Sequence, residues 1–231
     1  MAGGTFVVVG GTSGLGLAVA RRLLGRQRVV VVGDEPWEVA AVADELDCPG
    51  AACDITSYEQ VRELFAGVVE RYGVIGGVAH CASVWAGGDL LDLNPERIRR
   101  AVEVNVLGTT YVLKEALHHL TRQRQGNVVY VGALAVTRSR PGIPVYRATK
   151  SYGASLVESL AEAQQSNRVK VMQLHPGPMP TRLQERAGAE FLDEVYAQPE
   201  QVAAEVVRLL LLAADDLYVS GEQVLRADGR W

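Results

Sequence analysis

Short apolar runs rich in β-branched residues alternate along this chain with longer segments that carry apolar residues at helical spacing. The predicted strands are 6–9, 29–32, 51–53, 77–80, 128–131, 169–174 and 223–225, and the predicted helices are 15–24, 37–46, 58–71, 95–120, 146–165 and 200–214. A helix between two strands carries the chain back across the sheet, so the two strands pair in parallel. The mostly continuous apolar character of the runs indicates strands covered on both faces. The sequence therefore predicts an α/β fold with a doubly wound, seven-stranded parallel sheet.

A single domain is predicted for residues 1–231, because α/β folds commonly exceed 200 residues around one core. The sequence contains no Gly/Ser-rich or Pro-rich linker, no repeat and no low-complexity segment. Two longer irregular segments, at about 134–145 and 176–198, each follow a predicted strand. Open α/β sheets bind ligands outside the carboxyl ends of their strands, so these loops are predicted to wall a substrate pocket.

Charge and cysteine content exclude several classes of function. The 23 Lys and Arg residues against 27 Asp and Glu residues give a net charge of -4 without a basic block, so no nucleic-acid or membrane partner is expected. The apolar runs are shorter than the roughly 20 residues needed to cross a bilayer, and the first residues do not read as a signal peptide. The three cysteines lack C-x-x-C spacing, which predicts a cytoplasmic protein without a disulfide framework or a bound metal.

A glycine-rich segment joins the first predicted strand to the first predicted helix. Glycines let the backbone turn tightly and approach a pyrophosphate, whose charge is stabilised by the helix N-terminus. A glycine-rich turn without a ligand is the alternative, but the position between a strand and a helix favours a Rossmann-type nucleotide site. The predicted cofactor contacts in this segment are Gly10, Thr12, Ser13, Gly14, Leu15 and Gly16.

Asp34 follows the second predicted strand, 18 residues after Gly16. This spacing is close to the offset of about 20 residues expected for a carboxylate that binds the ribose hydroxyls of a dinucleotide. Asp34 would repel the 2′-phosphate of NADP, and no Arg or Lys lies in the same loop, so NAD is the predicted cofactor. A solvated acid in a turn is the alternative, because Glu35 is adjacent and offers a second carboxylate.

With these features the sequence resembles the short-chain dehydrogenase/reductase family over essentially its whole length. The matching motifs are the glycine loop, Asp54 after the third strand, Asn105 in VNVLG, Tyr146 and Lys150 in YRATK, Pro176-Gly177 through Thr181, and the tail 220–229. The resemblance implies further cofactor contacts from Asp54, Ile55, Ala82, Tyr146, Lys150, Pro176, Gly177 and Thr181. It also implies a catalytic role for Asn105, whose backbone would support a proton-relay water.

Tyr146 and Lys150 are four residues apart, so they share one face of a helix. In the chemistry that the resemblance implies, Tyr146 donates a proton to a carbonyl oxygen as hydride arrives, or removes one from an alcohol. Tyrosine titrates near pH 10, so a neighbouring ammonium is needed to favour the phenolate. A Tyr/Lys pair alone is more often a surface pair, but its place after the fifth strand, together with Asn105, predicts a catalytic pair.

The sequence departs from the family at the position of the catalytic serine, thirteen residues before the tyrosine, which is Ala133. The first later hydroxyl belongs to Thr137. In the family this serine orients the substrate oxygen and stabilises its developing charge. Loss of such a donor typically costs about 3 kcal/mol, or 10²–10³ in rate. A simple ketoreductase with this substitution is expected to be slow.

A second departure follows the fourth predicted strand, where His80-Cys81-Ala82-Ser83 replaces the usual Asn-Asn-Ala-Gly. We expect His80 to be a structural hydrogen-bonding replacement; a catalytic histidine or a Cys81 thiol nucleophile are the alternatives, and each would need a partner. Ser83 adds a side chain beside the expected ribose, where it would tighten or block cofactor binding.

Three functions are compatible with these features. The first is an NAD(H)-dependent oxidoreductase that acts on a hydroxyl or carbonyl of a small, fairly apolar organic molecule. The others are a non-redox dehydratase or isomerase, and a catalytically weak NAD-binding module, because a fold does not determine its chemistry. The apolar character of the substrate is inferred from loop residues Trp85, Leu134, Ile143, Met179 and Leu183, which are equally compatible with packing under the loops.

A homo-oligomer, a dimer or a tetramer, is predicted from the two longest helices. They carry aliphatic residues such as Val112 and Leu156 that are expected to face outward. Self-complementary apolar patches usually lead to closed symmetric assembly. The sequence identifies neither the substrate nor the direction of the reaction.

Overall fold

The computed structural model describes residues 4–137, 141–164, 168–185, 197–213 and 222–225. The strands are β1 (Thr5–Val9), β2 (Arg28–Gly33), β3 (Gly50–Ala52), β4 (Ile75–His80), β5 (Gly126–Val131), β6 (Val169–Pro176) and β7 (Glu222–Leu225). The helices are α1 (Gly14–Leu23), α2 (Pro36–Leu46), α3 (Tyr58–Tyr72), α4 (Pro95–Val102), α5 (Thr109–Gln123), α6 (Pro144–Ala163), α7 (Arg182–Glu185) and α8 (Pro199–Leu210). A π-helical turn, Glu103–Gly108, joins α4 to α5, so the helix predicted at 95–120 has a wider turn in its middle.

The strands form one parallel sheet in the order β3-β2-β1-β4-β5-β6-β7. From β1 the chain moves outward to β3, and it then crosses to β4 and continues outward on the other side. The order therefore reverses between β1 and β4, which pair directly with Val9 opposite His80. Ligand-binding crevices form at such a reversal, outside the carboxyl ends of the strands. The predicted doubly wound α/β fold is confirmed.

Both faces of the sheet are covered, as the continuous apolar strands predict. In β1, Val7 and Val9 belong to a core formed with α3, α5 and α6, whereas Phe6 and Val8 belong to a core formed with α1, α2 and α8. Successive strand residues point to opposite faces, so a strand buried on both sides has no polar alternation. The side chains of β1 are buried throughout.

The expectation that Val112 and Leu156 face outward was wrong. Val112 is fully buried, and Leu156 packs against the same core, because the apolar stripes of α5 and α6 face the sheet. The described apolar side chains that are exposed lie elsewhere: Trp37, Val74, Leu90, Leu91, Val102, Leu107 and Tyr152.

Several expectations fall on residues outside the described ranges. These are the middle parts of the two pocket loops, 138–140 and 186–196, and most of the tail motif, 220–221 and 226–229. Among the helices that the structure describes, none combines the length and apolarity required of a membrane span.

Candidate functional site

A cavity of about 420 Å³ opens at the carboxyl ends of the strands. Its lining combines residues that follow six different strands, and most of the predicted site residues meet there. Those in the lining are Gly10, Thr12, Ser13, Gly14, Leu15, Gly16, Asp34, Asp54, Ile55, Ala82, Tyr146, Lys150, Pro176, Gly177 and Thr181. Asn105 is the predicted site residue that lies outside this lining.

The glycine loop is packed so closely that side chains have no room at two positions. A Cβ on Gly16 would lie 1.9 Å from the carbonyl oxygen of Gly10, and one on Gly10 would lie 2.6 Å from the amide nitrogen of Ala82. Gly10 also has a φ of +78°, which disfavours other residues. The loop backbone therefore lies against the loop after β4 and leads directly into α1, with Ser13 as N-cap. A backbone cradle at a helix N-terminus fits the pyrophosphate of a nicotinamide dinucleotide.

Two carboxylates border the cavity at the end that would receive the adenosine. Asp54 accepts hydrogen bonds at Oδ1 from the backbone nitrogen and the hydroxyl of Thr56, at 3.0 and 2.8 Å, which fixes the carboxylate ahead of α3. Asp34 is exposed, and its Oδ2 lies 3.9 Å from Nη2 of Arg100. Arg100 comes from α4 and also lines the cavity. The sequence gives no local signal for this cation, because Arg100 lies 66 residues beyond Asp34 along the chain.

Tyr146 and Lys150 lie one turn apart on α6, and both are almost fully buried. Burial raises the pKa of Tyr146 to about 12, and the nearby Ser83 side chain acts in the opposite direction. Burial lowers the pKa of Lys150 to about 8, and Cys81 acts in the opposite direction. Lys150 Nζ donates a hydrogen bond to the carbonyl oxygen of Val131 at 3.0 Å. At neutral pH the site therefore holds a protonated phenol and an ammonium.

The start of α6 is docked on the loop that follows β4. The Tyr146 ring lies 4.6 Å from the ring of Trp85, measured between centroids, and the Tyr146 amide donates to the carbonyl oxygen of Ala86 at 3.3 Å. These contacts fix the direction of the Tyr146 side chain toward the cavity.

Asn105 lies in the π-helical turn and is buried behind the cavity wall. Its Oδ1 accepts hydrogen bonds from the Val84 amide at 2.9 Å and the Ser83 hydroxyl at 3.1 Å. Its Nδ2 donates to the Val84 carbonyl at 2.9 Å and to the Thr149 hydroxyl at 3.1 Å. Thr149 in turn donates to the Tyr146 carbonyl at 2.8 Å. The Asn105 side chain thus joins the loop after β4 to the helix that carries Tyr146.

Ala133 presents a methyl group to the cavity, at the position where the sequence resemblance leads us to expect a serine. Its backbone is extended, and its amide donates to Nδ1 of His175 at 3.2 Å. The hydroxyl of Thr137 donates to the carbonyl oxygen of Leu134 at 2.9 Å, and Thr137 is not among the described residues that line the cavity. Thr137 therefore does not replace the missing serine.

His80 and Cys81 have different surroundings. His80 is fully buried, with Nε2 3.0 Å from the Thr109 hydroxyl, and burial lowers its pKa to about 3. A neutral, buried ring that joins β4 to α5 fits the structural interpretation. Cys81 lines the cavity, and burial raises the pKa of its thiol to about 12 while Lys150 acts in the opposite direction. The thiol is therefore protonated at neutral pH, which disfavours a nucleophile.

Curated proteins, solved structures and a protein-family model all relate this chain to the same family. Carbonyl reductase family member 4 from Xenopus tropicalis is 28% identical over 229 residues, covering 96% of this chain and 95% of the relative. A 3-oxoacyl-acyl-carrier-protein reductase from Thermotoga maritima is 26% identical over 238 residues, and the match covers 96% of this chain and 95% of that relative. A solved short-chain type dehydrogenase/reductase from Mycobacterium ulcerans is 28% identical, with a TM-score of 0.87 over 96% of this chain and 87% of that one.

A variant of the actinorhodin polyketide ketoreductase, solved with NADPH, is 25% identical and also has a TM-score of 0.87, over 96% of this chain and 95% of that one. Residues 5–190 match the family model described as short chain dehydrogenase. This match spans well over half of the 231 residues, and the chain therefore belongs to the short-chain dehydrogenase/reductase family.

Proposed function

We propose that the protein is an oxidoreductase that interconverts a carbonyl and a hydroxyl group on a small, fairly apolar organic molecule, with NAD(H) as its preferred cofactor. The observation that carries this proposal is the meeting of Tyr146, Lys150 and the glycine loop in one cavity. The printed names of the similar proteins, a carbonyl reductase and a ketoreductase among them, support carbonyl reduction.

The cofactor would lie along the line of loops that border the cavity. The glycine loop would hold the pyrophosphate, Asp34 the adenosine ribose and Asp54 the adenine. Thr181 faces the start of α1, since a Cβ on Gly14 would lie 3.1 Å from its Cγ2, and this supports a cofactor contact next to the pyrophosphate. A place beside the nicotinamide is what the family resemblance implies for Thr181. When bound, the nicotinamide supplies or accepts a hydride.

Proton transfer would belong to Tyr146. With a pKa of about 12 the phenol keeps its proton at neutral pH, as an acid must before it protonates a carbonyl oxygen. In the reverse direction Tyr146 must first lose this proton, so oxidation of an alcohol should accelerate as the pH rises. Lys150, charged below about pH 8, would stabilise the phenolate from the next turn of α6.

The substrate class follows from the cavity wall beyond Tyr146. All five apolar residues predicted for this wall are in the lining: Trp85, Leu134, Ile143, Met179 and Leu183. Pockets of this kind select apolar molecules and use a few polar groups to orient them. We therefore expect ketones or secondary alcohols with a hydrophobic body.

The test combines cofactor binding with turnover of a panel of ketones and secondary alcohols, followed at the absorbance of NADH and NADPH. The wild-type protein should reduce apolar ketones, and Tyr146→Phe should abolish this turnover while it still binds NADH. Equal turnover by Tyr146→Phe, or no turnover of any substrate despite cofactor binding, would remove the support for this function.

Ala133 favours a second candidate, a non-redox dehydratase or isomerase that keeps Tyr146 for proton transfer. A methyl group gives no hydrogen bond to a substrate oxygen, so the site lacks the family's usual means of stabilising charge there. Mass spectrometry of reaction mixtures distinguishes the candidates, because a non-redox reaction changes the substrate without changing the absorbance of the nicotinamide.

A further inference from the structure

Lys150 carries its ammonium in a buried site, where a charge that has lost its hydration needs compensating partners. Burial has the largest effect on its pKa and lowers it, and the Cys81 thiol is the described group that opposes burial. This thiol is protonated at neutral pH, because burial raises its pKa to about 12. One proton of the ammonium is donated to the carbonyl oxygen of Val131 at 3.0 Å. Among the described residues, stabilisation of the ammonium therefore depends on neutral groups with suitable dipoles.

The aromatic ring of Tyr130 lies beside this ammonium. Tyr130 is on β5, and Nζ of Lys150 lies over its ring, 5.3 Å from the ring centroid. The face of an aromatic ring carries partial negative charge and attracts a cation within about 6 Å, most strongly where water is excluded. Tyr130 is 1% exposed and Lys150 is 3% exposed, so solvent does not screen the contact. The pair therefore has the geometry and the surroundings of an effective cation–π contact.

We propose that Tyr130 is a positioning residue for Lys150: the face of its ring stabilises the ammonium and keeps it protonated beside Tyr146. This inference rests on the proposed function, in which Lys150 stabilises the phenolate form of Tyr146. It adds to that function the group that maintains the charge of the lysine. The motif that contains Tyr146 and Lys150 gives no signal for this role, because Tyr130 lies on a different element of the fold.

Two neighbouring elements hold the Tyr130 ring in its orientation. The His80 ring of β4 stacks against it, with centroids 5.9 Å apart and an angle of 30° between the planes. On α6, a Cβ at Gly153 would lie 2.2 Å from the Tyr130 hydroxyl oxygen, so glycine is required for the helix to approach this closely. Gly153 follows Lys150 by three residues, so the turn of α6 that carries the lysine also rests on the tyrosine. The packing of β4 and α6 therefore fixes the ring next to the ammonium.

The surroundings of Tyr130 do not fit other roles. Its hydroxyl has no hydrogen-bond partner among the described residues, so the position is not used for a polar contact. Burial raises its pKa, and Tyr146 acts in the same direction, so the phenol keeps its proton and does not serve as a second acid. Tyr130 is not among the described residues that line the cavity, which leaves it behind the cavity wall. The feature of Tyr130 that remains available is the face of its ring.

The titratable groups around Lys150 are uncharged at neutral pH. Burial lowers the pKa of His80 on β4 to about 3 and that of His175 on β6 to about 4, and the charge of Lys150 acts in the same direction on both. Cys81 and Tyr146 keep their protons, because burial raises each pKa to about 12. Two neutral imidazoles, a thiol and a phenol supply no charge that would attract or repel the ammonium. Its protonation is therefore sensitive to the dipolar groups in contact with it.

The test measures the pKa of Lys150 by NMR. The sequence contains three lysines, Lys114, Lys150 and Lys170, so labelling with ¹³Cε-lysine gives few signals, and the signal lost in Lys150→Arg identifies Lys150. Lys150 should titrate near pH 8 in wild type and in Tyr130→Phe, which keeps the ring. In Tyr130→Leu, which removes the ring face, the titration should lie about one pH unit lower.

Phe65→Leu is the matched control for the loss of a buried aromatic ring. Phe65 is fully buried in the same core, but it lies on α3 and stacks on His119. Its replacement should lower stability and leave the Lys150 titration in place. If Tyr130→Leu does not fold, phenylalanine and a trifluorinated phenylalanine at position 130 replace it in the test, because the two rings have nearly the same size but different charge on their faces. The pKa of Lys150 should be lower with the fluorinated ring.

Kinetic measurements connect this contact with turnover. A pKa one unit lower leaves Lys150 about fivefold less protonated at pH 8, so Tyr130→Leu should reduce apolar ketones about fivefold more slowly there and nearly as fast as wild type at pH 6. A Lys150 titration that does not move on loss or fluorination of the ring would overturn the role of Tyr130, and so would a Phe variant that behaves like Leu. If wild type has no turnover that depends on Tyr146, the proposed function fails, and the NMR titration still decides whether Tyr130 stabilises the ammonium.

Discussion

The contact between Asp34 and Arg100 bears on the choice between NAD and NADP. The sequence favours NAD because of Asp34 and because no Arg or Lys lies in the same loop. The structure brings the Arg100 guanidinium to 3.9 Å from the Asp34 carboxylate. Both side chains are exposed, so their pairing is screened by solvent and contributes little by itself. Asp34 therefore remains available to ribose hydroxyls, while Arg100 offers a cation beside the same carboxylate.

The first prediction is that Asp34→Ala weakens NAD binding by about 1–3 kcal/mol, because ribose hydroxyls lose their acceptor. NADP should lose much less, and Arg100→Gln should weaken NADP more than NAD. Titration of intrinsic tryptophan fluorescence measures the affinities of wild type and both variants for each cofactor. Wild type that binds NADP as tightly as NAD would contradict the assignment.

Ala133 is the residue that separates a slow dehydrogenase from a changed chemistry. If the donor has simply been lost, Ala133→Ser should raise turnover of a generic ketone by about tenfold or more, as part of the 10²–10³ expected of such a donor. If the methyl seats a different substrate, the serine should leave ketone turnover near zero and weaken the native reaction, since a buried hydroxyl without a partner costs about 1–3 kcal/mol. Steady-state kinetics with both substrate types distinguishes the outcomes.

The buried His80 should make the free energy of unfolding depend on pH. Its pKa is lowered by burial to about 3, against 6.5 for an ordinary histidine. Between pH 6.5 and about pH 3, His80 binds a proton in the unfolded chain but not in the folded chain. The free energy of unfolding therefore falls as the pH falls toward 3. One such histidine accounts for about 2 kcal/mol at pH 5. His80→Asn should reduce the difference between urea unfolding at pH 7.5 and pH 5, and an unchanged difference would argue against a neutral buried His80.

At the scale of elements, the start of α1 depends on a glycine. Gly16→Ala would place a methyl group 1.9 Å from the Gly10 carbonyl, so the loop must move and NADH binding should be lost. Gly67, exposed in the middle of α3, is a matched control, because a Cβ there meets nothing within 4 Å. Gly67→Ala should stabilise the protein by about 0.5–1 kcal/mol and leave NADH affinity unchanged. Thermal unfolding and fluorescence titration measure both effects, and NADH binding by Gly16→Ala would refute the tight cradle.

Elements determined by neighbouring residues are predicted from the sequence, whereas features determined by contacts between residues far apart in the chain are missed. The strands and most helices follow from β-branched runs and helical spacing, and the glycine loop follows from its position between β1 and α1. The π-helical turn at Glu103–Gly108 is different. The Asn105 side chain in this turn forms hydrogen bonds with Val84 and Thr149, which are far away in sequence. The contacts of Ser83 and Arg100 were missed for the same reason: no local pattern says which loop will lie opposite.

At the scale of the whole molecule, three exposed apolar side chains, on α4, the π-helical turn and α6, bear on self-association. Val102 and Tyr152 are each 40% exposed, and Leu107 is 43% exposed. Tyr152 and Thr110 are 2.8 Å apart between hydroxyl oxygens, so α5 and α6 are neighbours on this surface. These residues, rather than Val112 and Leu156, now support the proposal of a homodimer or homotetramer.

The corresponding prediction uses two valines of equal exposure. Val102→Asp should weaken self-association, because it places a charge in the proposed interface, whereas Val74→Asp, also at 40% exposure in the wild type, should not. Light scattering at micromolar concentration measures the mass of each variant. A wild-type mass of 24.9 kDa would mean a monomer and would contradict the proposal.

The pairing of β1 with β4 also affects how the chain is made. β1 is complete at Val9, but its neighbour on one side begins only at Ile75. At 5–20 residues per second, the ribosome adds the intervening segment in about 3–13 s. During this interval one edge of a strand with four consecutive apolar residues, Phe6 to Val9, has no partner, and it is open to chaperones or to other nascent chains. The last described wall of the cavity, which begins at Pro176, emerges later still, so the proposed site is incomplete until most of the chain has been made.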